Sequence, residues 1–250
     1  MDRTRTTDAD PHSAASTQAF YGRWASLYDR IARHTPGVAA VRRLAADACR
    51  LEAGDTVVEL GCGTGANLGY LRDAVGPTGT VVGVDITRPV LERALEHVGH
   101  YGNVHLVRGD ATRPPFSSGS MDDVETGGPV DRDVDAVLAT FVAGMLPDPA
   151  AAVDDWCDLV GPGGYVVLAN AGRSRGRLAP IVDPVFDAIV RFSTPPTTKL
   201  RYTVNPTDVL DAKVAAAHDR LVENAAAIAE ARAIWGTVRI TGGRVAADRG

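Results

Sequence analysis

Lysine is almost missing from this 250-residue chain: Lys199 and Lys213 stand alone among 26 basic residues. With 31 acidic residues the net charge is −5, and no basic strip interleaved with aromatics is present, so a nucleic-acid partner is not expected. Cysteine is scarce as well. Cys49, Cys62 and Cys157 are widely spaced, which excludes a disulfide framework and thiolate metal pairing and points to reduced thiols in a cytoplasmic setting. No metal site is expected. No apolar run is long enough to cross a bilayer. Met1 to Ser16 is polar, lacks the apolar stretch of a secretion signal, and reads as a disordered tail. No internal repeat is present.

What the chain does have is a core. Hydrophobic residues make up 45% of it, and strand-like and helix-like segments alternate. Gln18 to Arg33 reads as a helix, with Phe20, Trp24, Leu27, Tyr28 and Ile31 near helical spacing; Val38 to Cys49 reads as a second. Strands are expected at Thr56 to Leu60, Val81 to Val84, Val104 to Val107, Val134 to Ala139 and Tyr165 to Ala169. Helices are expected at Asn67 to Val75, Pro89 to Val98 and Ala150 to Leu159. Such alternation calls for a parallel sheet with helices on both faces. Ser117 to Asp133 is acidic, Gly-rich and aperiodic, and reads as a surface insertion. Ala171 to Ile234 reads as a helical cap with an Ala-rich helix from about Thr207 to Ala233. Trp235 to Ala246 reads as two short strands around Gly242-Gly243. The expected architecture is therefore α/β, a doubly wound, mostly parallel seven-stranded sheet with a helical cap. It divides into a tail (1–16) and one domain (17–250), with core 54–170, cap 171–234 and final strands 235–250.

The first strand runs into Gly61-Cys62-Gly63-Thr64-Gly65. Alternate glycines let a backbone approach a ligand where a Cβ would collide. A strand, a glycine turn and a helix build a nucleotide-type site at the carboxyl end of a parallel sheet. Acidic residues recur at the ends of successive strands: Glu59, then Asp85, then Asp110 in Gly109-Asp110-Ala111. Asp85 is placed to accept from both hydroxyls of a ribose, through bonds of roughly 1.5–3 kcal/mol each; capping the next helix is its structural alternative. Asp110 suits an adenine amino group, with the Ala111 N–H for a ring nitrogen, and is otherwise a turn residue. Glu59 either holds glycine-turn amides or a water-bridged amino group, or only shapes the turn.

The segments VVELGCGTG (57–65), VVGVDIT (81–87), VRGDATRPPF (107–116), DAVLATF (135–141) and GPGGYVVLAN (161–170) resemble, in order and spacing, the class I S-adenosylmethionine-dependent methyltransferases. The glycines alone also fit a dinucleotide fingerprint. Glu59 ahead of the first glycine, the GDA and the late PGG favour the methyltransferase. YDRIA (28–32) and ITGGRVAADRG (240–250) are similar to segments of the ubiquinone/menaquinone C-methyltransferases. Those enzymes carry an acidic residue at the end of strand five, where this chain has Leu168-Ala169-Asn170-Ala171, and their middle region matches 173–204 poorly.

The resemblance implies S-adenosylmethionine as cofactor and direct methyl transfer to a small, apolar acceptor, a quinone precursor or a lipid-like molecule. The alternatives are a cofactor-binding regulatory subunit without catalysis, or a methyltransferase acting on another small metabolite. The resemblance places Glu59, Gly61, Gly63, Gly65, Asp85, Ile86, Asp110, Ala111 and Thr140 on the cofactor, with Tyr21, Tyr28 and Phe141 toward the acceptor. It names no catalytic base. His34 and His218 read as surface residues of the cap region, and Phe186, Phe192, Tyr202 and Trp235 either line an apolar pocket or pack the cap. Arg173, Arg175 and Arg177 form a basic cluster that either contacts an anionic lipid surface or is simply solvated, and an apolar acceptor implies transient membrane contact.

Overall fold

A computed structural model describes residues 37–115, 133–174 and 205–248, with positions 179–180, 183–184 and 187 between them. Five strands follow the rhythm of the sequence: β1 (Thr56–Leu60), β2 (Thr80–Asp85), β3 (Val104–Arg108), β4 (Ala136–Thr140) and β5 (Tyr165–Ala171). With β6 (Ala225–Ala233) and β7 (Val238–Val245) they form one seven-stranded sheet, ordered β3-β2-β1-β4-β5-β7-β6. The first five strands run parallel, and β7 is antiparallel to both of its neighbours.

Among the described residues the faces are covered by α1 (Val38–Ala48), α2 (Leu68–Val75), α3 (Arg88–Val98), α4 (Pro149–Val160) and α5 (Pro206–Asn224). Side chains of a strand alternate between faces, and the core divides accordingly. Val57, Leu138 and Val167 pack with α1, α2 and α3, while Val58, Val137 and Leu168 pack with α4 and α5. Every residue of β1 is buried, as expected of a central strand covered on both faces. Trp156 on α4 is buried completely, and its indole N–H donates to the Ala111 carbonyl at 2.8 Å. The fold is thus the doubly wound, mostly parallel α/β arrangement that the sequence implies.

The last quarter departs from the reading above. The Ala-rich helix ends at Asn224 rather than Ala233, and Ala225–Ala233 is the edge strand β6. Alanine favours helix by intrinsic preference, but pairing along β7 from Ala225 to Ala233 overrides it. From Asn205 onward the expected cap is instead part of the sheet's own layers: Ala217 and Leu221 of α5 join the core, and Arg220 Nε and Asn224 Nδ2 both donate to Asp154 Oδ1 at 2.7 Å. Gly242-Gly243 is not a turn. It lies inside β7, where a Cβ on Gly242 would stand 3.1 Å from the Ala48 carbonyl and one on Gly243 would stand 2.9 Å from Leu221 Cδ1. Glycine here lets helices on both faces approach the strand. The turn falls at Ile234–Gly236, with φ of 48°, 53° and 87° in succession. The tail, the helix expected at Gln18 to Arg33, most of the insertion, and Phe186, Phe192 and Tyr202 lie outside the described residues.

Candidate active site

The strand order reverses at β1, which has β2 on one side and β4 on the other, and a crevice opens beyond the carboxyl ends there. The glycine turn sits at that point. The N–H groups of Gly61 and Cys62 both donate to the Val84 carbonyl, at 2.8 and 2.9 Å, which folds the turn over the end of β2. The three glycines differ in purpose. A Cβ on Gly61 would meet Val142 Cγ2 at 2.6 Å, and one on Gly65 would meet Ala94 Cβ and Leu68 Cδ1 at 3.1 Å. Those two serve the packing of the chain on itself. Gly63, at φ 54°, has nothing within 4 Å of its Cβ position, so it faces open space.

Asp85 ends β2 directly beneath this turn. Its Oδ2 accepts the Gly63 N–H at 2.9 Å and its Oδ1 accepts the Thr87 N–H at 2.8 Å. Burial raises its pKa from the usual value, and those backbone donors oppose the rise. The Thr87 hydroxyl donates to the same carboxylate, so of its roughly four acceptor positions fewer stay open than the two backbone bonds alone would leave. Asp85 therefore braces the turn and begins the next helix while still able to accept from a ligand.

Glu59 does not hold glycine-turn amides. It is wholly buried, and its Oε1 accepts from Asn67 Nδ2 and from Thr140 Oγ1, the latter at 3.2 Å. Asn67 Nδ2 also reaches Thr140 Oγ1 at 2.8 Å, and Asn67 Oδ1 accepts from Arg42 Nη1 at 2.6 Å. Glu59 Oε2 is buried with no partner among the described residues. Burial pushes the Glu59 carboxyl up from 4.5 to about 7, against the Asn67 hydrogen bond and the Arg42 charge.

Beyond β3, Asp110 Oδ1 accepts from the Thr112 N–H and hydroxyl at 2.9 and 2.8 Å. Its Oδ2 and the Ala111 N–H make no hydrogen bond among the described residues, while the Ala111 carbonyl is taken by Trp156. Ile86, 38% exposed, follows Asp85, and its carbonyl accepts from Arg108 Nε. Phe141 follows Thr140 at φ 59°, pinned by its N–H to the Ala169 carbonyl at 2.7 Å, with its side chain 39% exposed. A bulky residue held in the left-handed region costs about 1–3 kcal/mol and marks a position under constraint. Phe141→Gly is accordingly expected to unfold about 1 kcal/mol less readily than Phe141→Ala, because both lose the ring and only glycine relaxes at this φ. Urea denaturation of the two variants side by side measures it, and equal midpoints would remove the strain.

The structure thus gathers Glu59 with Thr140, and Asp85 with Gly63, at one crevice, with Asp110 and Ala111 at the end of β3. Tyr21 and Tyr28 lie outside the described residues. Sequence reasoning missed Asn67 and Arg42. Asn67 reads as a helix cap, yet it makes no capping bond and turns its side chain to Glu59. Arg42 gave a usable signal, a charged residue within the buried stripe of α1.

Two surface assignments also change. His218 is not at the surface but wholly buried on α5, with Nδ1 2.7 Å from Thr241 Oγ1, and burial pushes its pKa down to about 3. Arg173 is not an open basic group, since Asp187, Asp208 and Asp211 surround it at 3.3, 2.6 and 3.5 Å. Arg175 and Arg177 lie outside the described residues. Another groove lies at the opposite, amino ends of the strands. There the carboxylates of Asp55 and Asp135 are engaged by the N–H groups of Glu52 and Thr56. Among the described residues no helix is long and apolar enough to cross a membrane.

A glycine turn braced by a strand-end aspartate, on this sheet order, is the arrangement expected from the resemblance to the class I S-adenosylmethionine-dependent methyltransferases. Residues 58–166 match the model of a methyltransferase-domain family. The chain is 29% identical over 150 residues to a demethylmenaquinone methyltransferase of Staphylococcus haemolyticus, and 33% identical over 120 residues to one of Staphylococcus aureus (strain JH9). These alignments cover 60% and 48% of this chain, and the chain spans only 56% and 44% of those relatives. It is also 30% identical over 145 residues to an uncharacterised 37.1 kDa protein in transposon TN4556 of Streptomyces fradiae; that match covers 58% of this chain and 38% of that protein. Among solved structures, a putative S-adenosylmethionine-dependent methyltransferase of Methanococcus maripaludis shares the fold at TM-score 0.57, with 14% identity, over 100% of this chain and 99% of that one. One from Aquifex aeolicus does so at TM-score 0.52, with 15% identity, over 95% and 100%. Both of these solved structures are described as methyltransferases dependent on S-adenosylmethionine.

Proposed function

We propose that the protein transfers a methyl group from S-adenosylmethionine to a small, largely apolar acceptor, a quinone precursor or a lipid-like molecule. The observation that carries the cofactor reading is the turn itself: Gly63 opens to space directly above a half-buried aspartate whose carboxylate still has acceptor capacity. The remaining donors and acceptors fit the same molecule. Asp85 would take the ribose hydroxyls, Asp110 Oδ2 the adenine amino group and the Ala111 N–H a ring nitrogen. The orphaned Glu59 Oε2 supplies a buried polar atom near Thr140 for the amino-acid end, a donor when it carries the carboxyl proton and an acceptor when ionised.

The cofactor supplies an activated methyl on a sulfonium, so the protein's share of the work is alignment. Thr140 is fixed by Glu59 and Asn67, and Phe141 is fixed by Ala169, which makes the end of β4 the rigid wall of the reaction centre. The exposed part of Phe141 offers an apolar surface to the acceptor, in keeping with the quinone-type substrates named for the Staphylococcus relatives.

Calorimetric titration with S-adenosylmethionine and S-adenosylhomocysteine tests the cofactor. Transfer of labelled methyl to organic-extractable and aqueous metabolite fractions tests the acceptor. Binding of both ligands with label in the organic fraction is expected. Label confined to the aqueous fraction would overturn the acceptor, binding without turnover would favour the regulatory subunit, and absence of binding would overturn the reading as a whole.

A further inference from the structure

The strand β6 closes one end of the sheet, and among the described residues nothing pairs with its outer edge. Seven of its nine residues are alanine or isoleucine, most are exposed, and no proline or lysine guards it. A long edge strand of this kind is a template for another strand. Its two charges carry more information. Glu230 Oε1 accepts from Arg239 of β7, at 3.2 Å from Nε and 2.5 Å from Nη2. Arg232 has no ion partner among the described residues, and its direct cross-strand neighbour is Arg239, a like charge. One carboxylate thus stands near two guanidiniums and is bonded to only one of them.

We propose that β6 pairs antiparallel with β6 of a second copy of this chain, about a two-fold axis through Ala231. Residues opposite one another in an antiparallel pair share a face, so a two-fold joining two sheets must pass through a residue, and few registers exist. Centred on Glu230, the axis sets two carboxylates against each other. Centred on Ala229, it sets Ile228 against Glu230. Centred on Ala231, it sets Glu230 against Arg232 of the other copy, twice, and supplies the missing counter-charge. The same register carries Ile228, 39% exposed, toward the turn of the other copy that holds Ile234 and Trp235, the latter 70% exposed. Charge therefore selects one register, and the apolar exposure of Ile228 is compatible with it. The contact is a single strand long, so the dimer is weak and concentration-dependent.

Sedimentation velocity of the full chain over a loading series into the high micromolar range tests this. The wild type is expected to move from monomer to dimer, and Arg232→Glu to stay monomeric. That variant keeps its fold, because the new carboxylate would face Arg239 of its own sheet. Combining Glu230→Arg with Arg232→Glu is expected to restore the dimer. Under mild oxidation Ala231→Cys should cross-link to itself across the axis and Ala229→Cys should not, against a background of three buried native cysteines. A wild type monomeric throughout, an Arg232→Glu variant that dimerises like wild type, or equal cross-linking at both positions would overturn the proposal.

Discussion

Replacing Asp85 with alanine is expected to weaken S-adenosylmethionine binding by at least about a hundredfold. In the proposed binding mode, two bonds from ribose hydroxyls to a partly desolvated carboxylate contribute roughly 3–6 kcal/mol together, and each 1.4 kcal/mol is about a factor of ten. The variant loses more than ligand contacts. The Gly63 N–H and the Thr87 N–H both lean on this carboxylate, so the turn and the start of α3 lose their common brace. Asp85→Asn separates the two roles, because an amide oxygen can hold one backbone donor but no longer offers a charged acceptor. Calorimetry on wild type, Asp85→Ala and Asp85→Asn should rank them in falling affinity as wild type, Asn, Ala, with all three folded by melting temperature. An alanine variant that binds within threefold of wild type would move the ribose site away from Asp85.

Replacing Glu59 with glutamine is expected to change how stability depends on pH, by about 3 kcal/mol near neutrality. The sign follows from proton counting. Glu59 titrates near 4.5 when unfolded and near 7 when folded, so between those values the native state holds the extra proton and stability falls as pH rises. His218 titrates near 6.5 unfolded and near 3 folded, so between those values the unfolded state holds the extra proton and stability rises with pH. From about pH 4.5 to 6.5 the two slopes oppose each other. In Glu59→Gln the His218 slope stands alone, about 1.4 kcal/mol per pH unit relative to wild type. Urea unfolding at half-unit steps from pH 4 to 8 gives the difference curve, in which contributions shared by the two proteins cancel. Parallel curves would show that Glu59 is not held neutral by its surroundings.

The parts of the site legible in the sequence are those coded locally. β1 and β2 are short β-branched runs bounded by glycine and an acidic residue, and a buried parallel strand has few other appearances. Their carboxyl ends, and therefore Glu59, Gly63 and Asp85, follow from topology once the order of strands is guessed. Illegible parts depend on partners distant in the chain. Asn67 reaches Thr140 across 73 positions and Arg42 across 25, and no pattern near Asn67 records either bond. Gly242-Gly243 illustrates the same limit from another side. Glycine permits turns and close approaches alike, and only the helices above and below β7 decide which it serves. Ala225–Ala233 reads as helix because its own preference is helical and its strand form exists only beside β7.

That mismatch bears on the order in which the chain is made. β7 lies between β5 and β6 in the sheet but follows both in sequence, so β6 is synthesised before it has anything to pair with. A nine-residue segment waiting as an open strand would be an invitation to other nascent chains. Alanine biases the waiting segment toward a continuation of α5, with its hydrogen bonds closed on itself. The arrival of β7 then converts it, and the composition that disguises the strand also shelters it.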